Sequence, residues 1–144
     1  MKCTTVIDKN REEEVIIYLR EENKISAEIE ELIAKRETRL LGYDSDSIVA
    51  LAPEDVTCFT TEEGRVFALL DNGRLRVKLR LYEIEEARYS DFVKINQSCI
   101  ANISKMKKLD VSLGGALRVE FKNGYRDYVS RRQLKAVKER LGIK

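Results

Sequence analysis

From residue 47 onward the chain alternates between short apolar stretches and polar breaks. Apolar and β-branched residues cluster in runs of strand length, which predict strands. The predicted strands cover residues 47–52, 55–60, 65–70, 74–79, 92–95, 106–113, 116–121 and 125–129. Asp71-Asn72-Gly73 and Asn123-Gly124 are strong hairpin signals, and Gly114-Gly115 predicts a further tight turn. This pattern predicts a mainly antiparallel β domain.

Helical spacing of apolar residues interrupts the β pattern twice. One short helix is predicted from Leu81 to about Tyr89. Near the C-terminus, Ser130 followed three residues later by Gln133 matches a capping box, which predicts a closing helix that reaches Leu141. The expected fold class is therefore α+β, mainly antiparallel β with short helices.

The beginning of the chain has a different pattern. Residues 2–7 and 14–19 are β-prone and predict two strands or a short hairpin. Ser26 can cap a helix whose apolar residues fall mostly on one face as far as Leu40, and residues 42–46 are expected to form a connector. These features predict a small strand-strand-helix extension before the β domain.

The length of 144 residues allows one domain with a short appendage but not two full domains. We therefore divide the chain into an N-terminal extension, 1–45, and a domain, 46–144. No apolar run approaches the length of a membrane span, and the N-terminus is too polar for a signal peptide. The expected compartment is the cytoplasm.

Several missing residue patterns argue against catalysis. The chain contains no His, which removes the commonest general base, the usual zinc nitrogen ligand and every Ser-His-Asp arrangement. Cys3, Cys58 and Cys99 are too far apart for a metal knuckle or a disulfide framework, and we interpret them as buried or half-buried thiols. Asp44 and Asp46 have no third ligand nearby and indicate a surface turn. We expect no enzyme activity, metal, cofactor or small-molecule substrate.

The charge is distributed unevenly along the chain, although the total is only +2. Residues 1–45 hold 8 basic and 11 acidic residues, net −3, and residues 46–91 hold 6 and 10, net −4. Residues 92–144 hold 13 basic and 4 acidic residues, net +9. Such asymmetry indicates a surface that meets a polyanion.

Three stretches of the basic third have chemistry suited to DNA. Residues 94–102 are rich in Asn, Gln and Ser, which can contact base edges and phosphates, or can cap their own backbone in a polar turn. Arg131 and Arg132 begin a predicted helix where acidic residues are usual, so they either clamp an anion or are simply solvated. Basic side chains at 105, 107 and 108 suit phosphate contact, or a strand edge protected by lysine.

Three motifs in this order resemble the LytTR family of bacterial DNA-binding domains. They are Phe-Val-Lys-Ile-Asn-Gln-Ser-Cys-Ile-Ala-Asn at 92–102, Phe-Lys-Asn-Gly at 121–124 and Val-Ser-Arg-Arg at 129–132. The resemblance covers about residues 47–141 and implies an elongated β fold that inserts loops, rather than a recognition helix, into successive grooves of double-stranded DNA. It also implies binding as a homodimer on repeated half-sites.

By motif position, the family's contacting loops fall on Gly64-Arg65, Asn96-Gln97-Ser98 and Arg131-Arg132. Asn96 and Gln97 stand where many members carry His or Arg, and Gly64 stands where a contacting side chain can occur, so the preferred DNA sequence is open. The predicted DNA-contacting residues are Gly64, Arg65, Lys94, Asn96, Gln97, Ser98, Asn102, Lys107, Ser130, Arg131 and Arg132.

The residues before Ser47 are too few for a phosphoacceptor receiver domain. The whole chain resembles stand-alone family members, which implies control by abundance or by a membrane-bound inhibitory partner. We expect the extension to serve in dimerisation or partner docking. The alternative function is a protein-interaction adaptor whose basic surface meets an acidic protein. RNA is a weaker alternative, because the aromatic residues are too dispersed to form a stacking platform.

Overall fold

A computed structural model describes residues 1–37, 39–111 and 114–143, without the side chains of residues 35–37. The elements are α1 (Lys24–Glu37), β1 (Leu41–Tyr43), β2 (Ile48–Ala50), β3 (Cys58–Glu62), β4 (Arg65–Leu70), β5 (Gly73–Val77), α2 (Leu81–Ala87), β6 (Phe92–Asn96), β7 (Cys99–Asn102), β8 (Met106–Val111), β9 (Leu117–Phe121), β10 (Arg126–Val129) and α3 (Arg131–Leu141). The expected α+β, mainly antiparallel class is confirmed. Among the described residues, no helix is long and apolar enough to cross a membrane.

Seven strands form one antiparallel sheet in the order β2-β1-β5-β4-β3-β7-β6, and three form a second sheet in the order β10-β9-β8. The predicted Asp71-Asn72-Gly73 hairpin joins β4 to β5, with Leu70 opposite Gly73. Gly124 lies between β9 and β10 with a φ of 91°, a left-handed backbone that glycine adopts because it has no Cβ. Both hairpin signals are therefore confirmed.

Both faces of the seven-stranded sheet are buried around β3, β6 and β7, whereas β2 is exposed. One face packs with the second sheet and α3 in a core that includes Cys58 and Phe121. The other face packs with α2 in a core that includes Phe59 and Ile84. Successive strand residues point to opposite faces, so the neighbours Cys58 and Phe59 enter different cores. This double burial explains why all four residues of β7 are buried.

The two strands predicted in the N-terminal extension are wrong. Neither 2–7 nor 14–19 is a strand, and their apolar side chains are mostly exposed, with Ile7 at 89% and Tyr18 at 90%. An isolated hairpin is at best marginally stable in water, and these stretches have no sheet to extend and no core to cover. Cys3 is exposed here for the same reason, whereas Cys58 and Cys99 are buried free thiols as predicted.

The predicted helix of the extension is confirmed, but its cap and the connector are wrong. The Asn23 side chain accepts a hydrogen bond from the N–H of Ile25 at 2.9 Å, so Asn23 caps the helix in place of Ser26. Ser26 donates its hydroxyl to the Asn23 carbonyl. The predicted connector at 42–46 begins inside β1, which pairs with β2 and β5. The prediction extended the helix to Leu40, but α1 ends at Glu37, and residues 39 and 40 are not helical; residue 38 lies outside the described residues.

The closing helix begins after Ser130 as predicted, but the capping box is not formed. Ser130 makes no side-chain capping hydrogen bond. In a capping box, the Gln133 side chain would accept a hydrogen bond from the Ser130 backbone N–H. That N–H instead donates to the Ile95 carbonyl at 2.8 Å. Tertiary contact therefore replaces the local cap. Residues 112 and 113, at the end of the predicted 106–113 strand, lie outside the described residues.

Candidate nucleic-acid interface

The turn between β6 and β7 brings two predicted contact residues, Gln97 and Ser98, to the surface. Asn96, just before them, is only 3% exposed. Its side-chain carbonyl accepts a hydrogen bond from the Ser98 backbone N–H at 2.8 Å, which closes the turn. Asn96 therefore shapes the turn, while the Gln97 side chain projects from it without a partner among the described residues.

The start of α3 lies beside this turn, held there by the hydrogen bond from Ser130 to Ile95. Arg131 and Arg132 occupy the first two helical positions, and both are exposed. Neither side chain forms an ion pair or hydrogen bond with the described residues, and the first turn contains no acidic residue. Two guanidinium groups and free helix amides therefore meet solvent together, an arrangement that attracts phosphate.

A third loop joins these two through the backbone. The N–H of Thr61 donates to the Ser98 carbonyl at 3.0 Å, which holds the β3–β4 turn against the β6–β7 turn. Gly64 in that turn has a φ of 76°, and Arg65 begins β4 with an exposed side chain. The structure thus brings seven of the predicted residues to one margin of the molecule. We call this margin the loop edge: Gly64, Arg65, Gln97, Ser98, Ser130, Arg131 and Arg132.

Two further predicted residues already have protein partners. Asn102 is 1% exposed; its amide donates to the Val56 carbonyl at 2.9 Å and accepts from the N–H and hydroxyl of Ser104. Lys94 lies on β6 with its Nζ 3.6 Å from a carboxylate oxygen of Glu85. The amide oxygens of Asn96 and Asn102 both accept from the N–H two residues later, the Asx-turn chemistry considered from the sequence.

The predicted basic run lies at the other end of the second sheet. β9 begins at the loop edge, opposite Val129, and ends where Phe121 lies opposite Met106. Lys107 therefore lies about four residues, or roughly 13 Å, along β8 from the level of Val129. Lys105 pairs with Asp71 of the β4–β5 turn at 3.6 Å. We call this region the far end: residues 105–108, 121–125 and the β4–β5 turn.

Asp127 is a residue of the candidate site that the sequence did not predict. One carboxylate oxygen accepts from the Asn96 amide at 2.9 Å, and the other accepts from the Tyr125 hydroxyl at 2.9 Å. Burial and the Asp127 charge raise the pKa of Tyr125 well above its ordinary value. Asp127 is the half-buried position between two exposed neighbours of β10, so strand alternation was the signal that could have found it.

The outer face of the second sheet carries a cluster of ion pairs around Glu120. Glu120 lies 3.3 Å from Arg126 and 3.8 Å from Lys108. The hydrogen bond from Arg126 holds the pKa of Glu120 below its ordinary value. Within the described part of the chain, no group of three or more Cys, Asp or Glu side chains is arranged to hold a metal ion. Glu120 thus pairs with Arg126 and Lys108 on this face, whereas the Arg131 and Arg132 side chains of the loop edge have no partner among the described residues.

The fold and the loop edge define a small antiparallel β protein with a polar, basic margin suited to a polyanion. A family model described as the LytTr DNA-binding domain matches residues 46–142. The chain therefore belongs to the LytTR family of DNA-binding domains, as its motifs predicted.

Similar proteins agree with this assignment. Two relatives, from Staphylococcus aureus strains NCTC 8325 / PS 47 and COL, are each 36% identical over 104 residues, covering 72% of this chain and 71% of their own. Both are named uncharacterized HTH-type transcriptional regulators. The LytTr DNA-binding domain of a Bacillus cereus protein, named as a methyl-accepting/DNA response regulator, has a similar fold. Its TM-score is 0.68 at 18% identity, covering 74% of this chain and 99% of that domain.

Proposed function

We propose that this protein is a transcriptional regulator of the bacterial cytoplasm that binds double-stranded DNA sequence-specifically through the loop edge. The observation that carries the proposal is the convergence of three loops, joined by backbone hydrogen bonds, with Gln97, Arg131 and Arg132 unpartnered among the described residues. Membership in a family of DNA-binding domains supports the ligand, and the names of the relatives support the regulatory role.

Each loop-edge residue type has a proposed role. Arg132 reads guanine and Gln97 reads adenine, because their paired donors and acceptors match those base edges in the major groove. Arg131 binds phosphate at the helix N-terminus. Asn96 and Asn102 act from the interior, since their amides hold the backbone of the turns. The other proposed phosphate contacts are Gly64, Arg65, Lys94, Ser98, Lys107 and Ser130.

Recognition by loops is favoured over a helix-turn-helix. Strands β1 to β5 separate α1 from α2, and strands β6 to β10 separate α2 from α3. No two helices in the described parts of the chain are therefore joined by the short turn that a helix-turn-helix requires. We propose that the three loops enter successive grooves.

We further propose a homodimer on repeated half-sites, in which residues 1–45 dock a second copy and residues 46–144 bind DNA. Support comes from apolar side chains of the extension that lie in solvent, among them Ile7, Ile16 and Tyr18. Ile16→Asp combined with Tyr18→Asp should convert a dimer to a single copy, measured as mass by light scattering. If the wild-type protein is already a monomer, the extension does not mediate dimerisation, and its proposed role is to dock the other partner, a membrane-bound inhibitor.

Selection of bound sites from random duplex DNA tests the proposed function. We expect a consensus with repeated half-sites, bound less tightly as salt increases because phosphate contacts release counterions. Lys9→Ala, which removes one positive charge from the extension, is the matched control for Arg132→Ala in mobility-shift titrations. Wild-type affinity in both Arg132→Ala and Gln97→Ala would remove the loop edge from DNA recognition. Absence of any salt-dependent DNA affinity would favour the adaptor alternative.

A further inference from the structure

Asn96 bridges two parts of the loop edge that are far apart in sequence. Its amide nitrogen donates to the Asp127 carboxylate at 2.9 Å and to the Tyr128 carbonyl at 2.8 Å. Its oxygen accepts from the Ser98 N–H at 2.8 Å. One buried side chain therefore closes the β6–β7 turn and ties that turn to β10, the strand that leads directly into α3.

Asp127 holds the other side of this bridge. The carboxylate oxygen that accepts from Asn96 also accepts from the Tyr128 backbone N–H at 2.8 Å, and the second oxygen accepts from the Tyr125 hydroxyl at 2.9 Å. Three donors fix the orientation of this carboxylate, and bonds to a charged acceptor are stronger than neutral ones. The bridge is consequently anchored at both of its ends.

We propose that Asn96 and Asp127 are positioning residues that set the spacing between the Gln97-Ser98 turn and the Arg131-Arg132 helix start, so that both loops meet DNA as one rigid unit. The proposal rests on the proposed function and adds residues that do not themselves touch DNA. Apolar packing alone holds the sheets together but tolerates small shifts, whereas a directional network specifies one arrangement.

Asn123 offers a matched control at the opposite end of the same sheet pair. Its oxygen accepts from the Tyr125 N–H at 2.9 Å, and its amide nitrogen donates to the Leu70 carbonyl at 3.1 Å. Asn123 therefore also closes a turn and also bridges the two sheets, but at the far end. Asn96→Asp and Asn123→Asp make the same chemical change at two turn-closing residues, although Asn96 is more buried and also donates to a carboxylate. Only Asn96→Asp should alter loop spacing.

The experiment combines amide hydrogen exchange of the free full-length protein with DNA titration. Asn96→Asp places a second carboxylate against Asp127, so exchange at the Ser130 N–H should rise about 10-fold or more, as expected for loss of charge-assisted hydrogen bonds. Exchange at the Lys122 N–H, which donates to the Lys105 carbonyl at 2.9 Å at the far end, should stay unchanged. Affinity for the selected site should fall by a similar factor, whereas affinity for random duplex should change less than about 3-fold.

Rescue separates positioning from general destabilisation. In Asn96→Asp combined with Asp127→Asn, the amide at 127 can again donate to a carboxylate at 96, but the hydrogen bond to the Tyr128 carbonyl stays lost. Ser130 protection and specific affinity should therefore recover part of the loss. Asn123→Asp should leave both within about 2-fold of wild type. Unchanged Ser130 exchange in Asn96→Asp, or a double variant no better than the single one, would overturn the proposal. A wild-type chain that binds no duplex would refute the proposed function, while the exchange data would still test the bridge.

Discussion

The loop edge carries arginines without acidic partners among the described residues, whereas two of the three lysines at 105, 107 and 108 in the far end are paired with acids. At the far end, Lys105 pairs with Asp71, and Lys108 lies 3.8 Å from Glu120. At the loop edge, Arg131 and Arg132 have no such partner among the described residues. A cation that is already paired offers less to an incoming phosphate. Local pairing, rather than the net charge of +9 over residues 92–144, therefore distinguishes the two surfaces.

The largest expected effect is on stability, where a substitution in the far end should cost much more than one in the loop edge. Phe121→Ala, in the core at the far end, should lower the free energy of unfolding by about 3–5 kcal/mol, because it leaves a cavity among packed side chains. Arg132→Ala, on the exposed loop edge, should change it by less than about 0.5 kcal/mol. Urea unfolding followed by circular dichroism measures both. Equal losses would show that the loop edge also maintains the fold.

DNA affinity should show the opposite order. Arg132→Ala should weaken binding to the selected site by roughly 1–3 kcal/mol and relax the preference at one base position, because a bidentate contact to a base edge is lost. Mobility shifts with single-base variants of the site measure this, with Lys9→Ala as the control. A uniform loss at every base position would instead assign Arg132 to phosphate.

A smaller effect is expected from Lys107 at the far end. Lys107→Ala should weaken binding to all duplexes alike and reduce the salt slope of the affinity by about one, because one phosphate contact is removed. Titrations at several salt concentrations measure the slope. An unchanged slope would confine DNA contact to the loop edge.

The smallest effect concerns the paired charges on the outer face of the second sheet. Since the pKa of Glu120 is lowered in the folded protein, its pairing stabilises the fold above the carboxyl's ordinary pKa, and this contribution is lost as the pH falls through the lowered value. Arg126→Ala should move the Glu120 pKa upward, measured by NMR titration, with DNA affinity nearly unchanged. An unmoved pKa would show that Arg126 is not the main cause of the lowering.

Much of the fold could be predicted because its signals are local. The β4–β5 hairpin and helix α2 were predicted correctly from a turn signal and from helical spacing, and both depend on residues close together in the chain. The strands expected at 2–7 and 14–19 failed because β-prone residues form a strand only when a neighbouring strand accepts their hydrogen bonds. The Ser130 capping box failed because a distant carbonyl took its N–H.

The candidate site was predictable only in part for the same reason. Asn96 and Gln97 are adjacent, similar in chemistry and equally suited to a base edge, yet one is buried and the other exposed. Which of them faces inward depends on β10, whose Asp127 and Tyr128 lie 31 and 32 residues further along the chain.

The sequence by itself therefore determined the fold class, the family, the hairpins and the residue types proposed to meet DNA, because these follow from local propensity and from motifs. Only the tertiary structure decided which of those residues are free. It paired Lys94 with Glu85, enclosed Asn96 and Asn102, and left Gln97, Arg131 and Arg132 without partners in the described part of the chain. Burial and pairing are properties of packed surfaces, and packing joins residues that no local pattern relates.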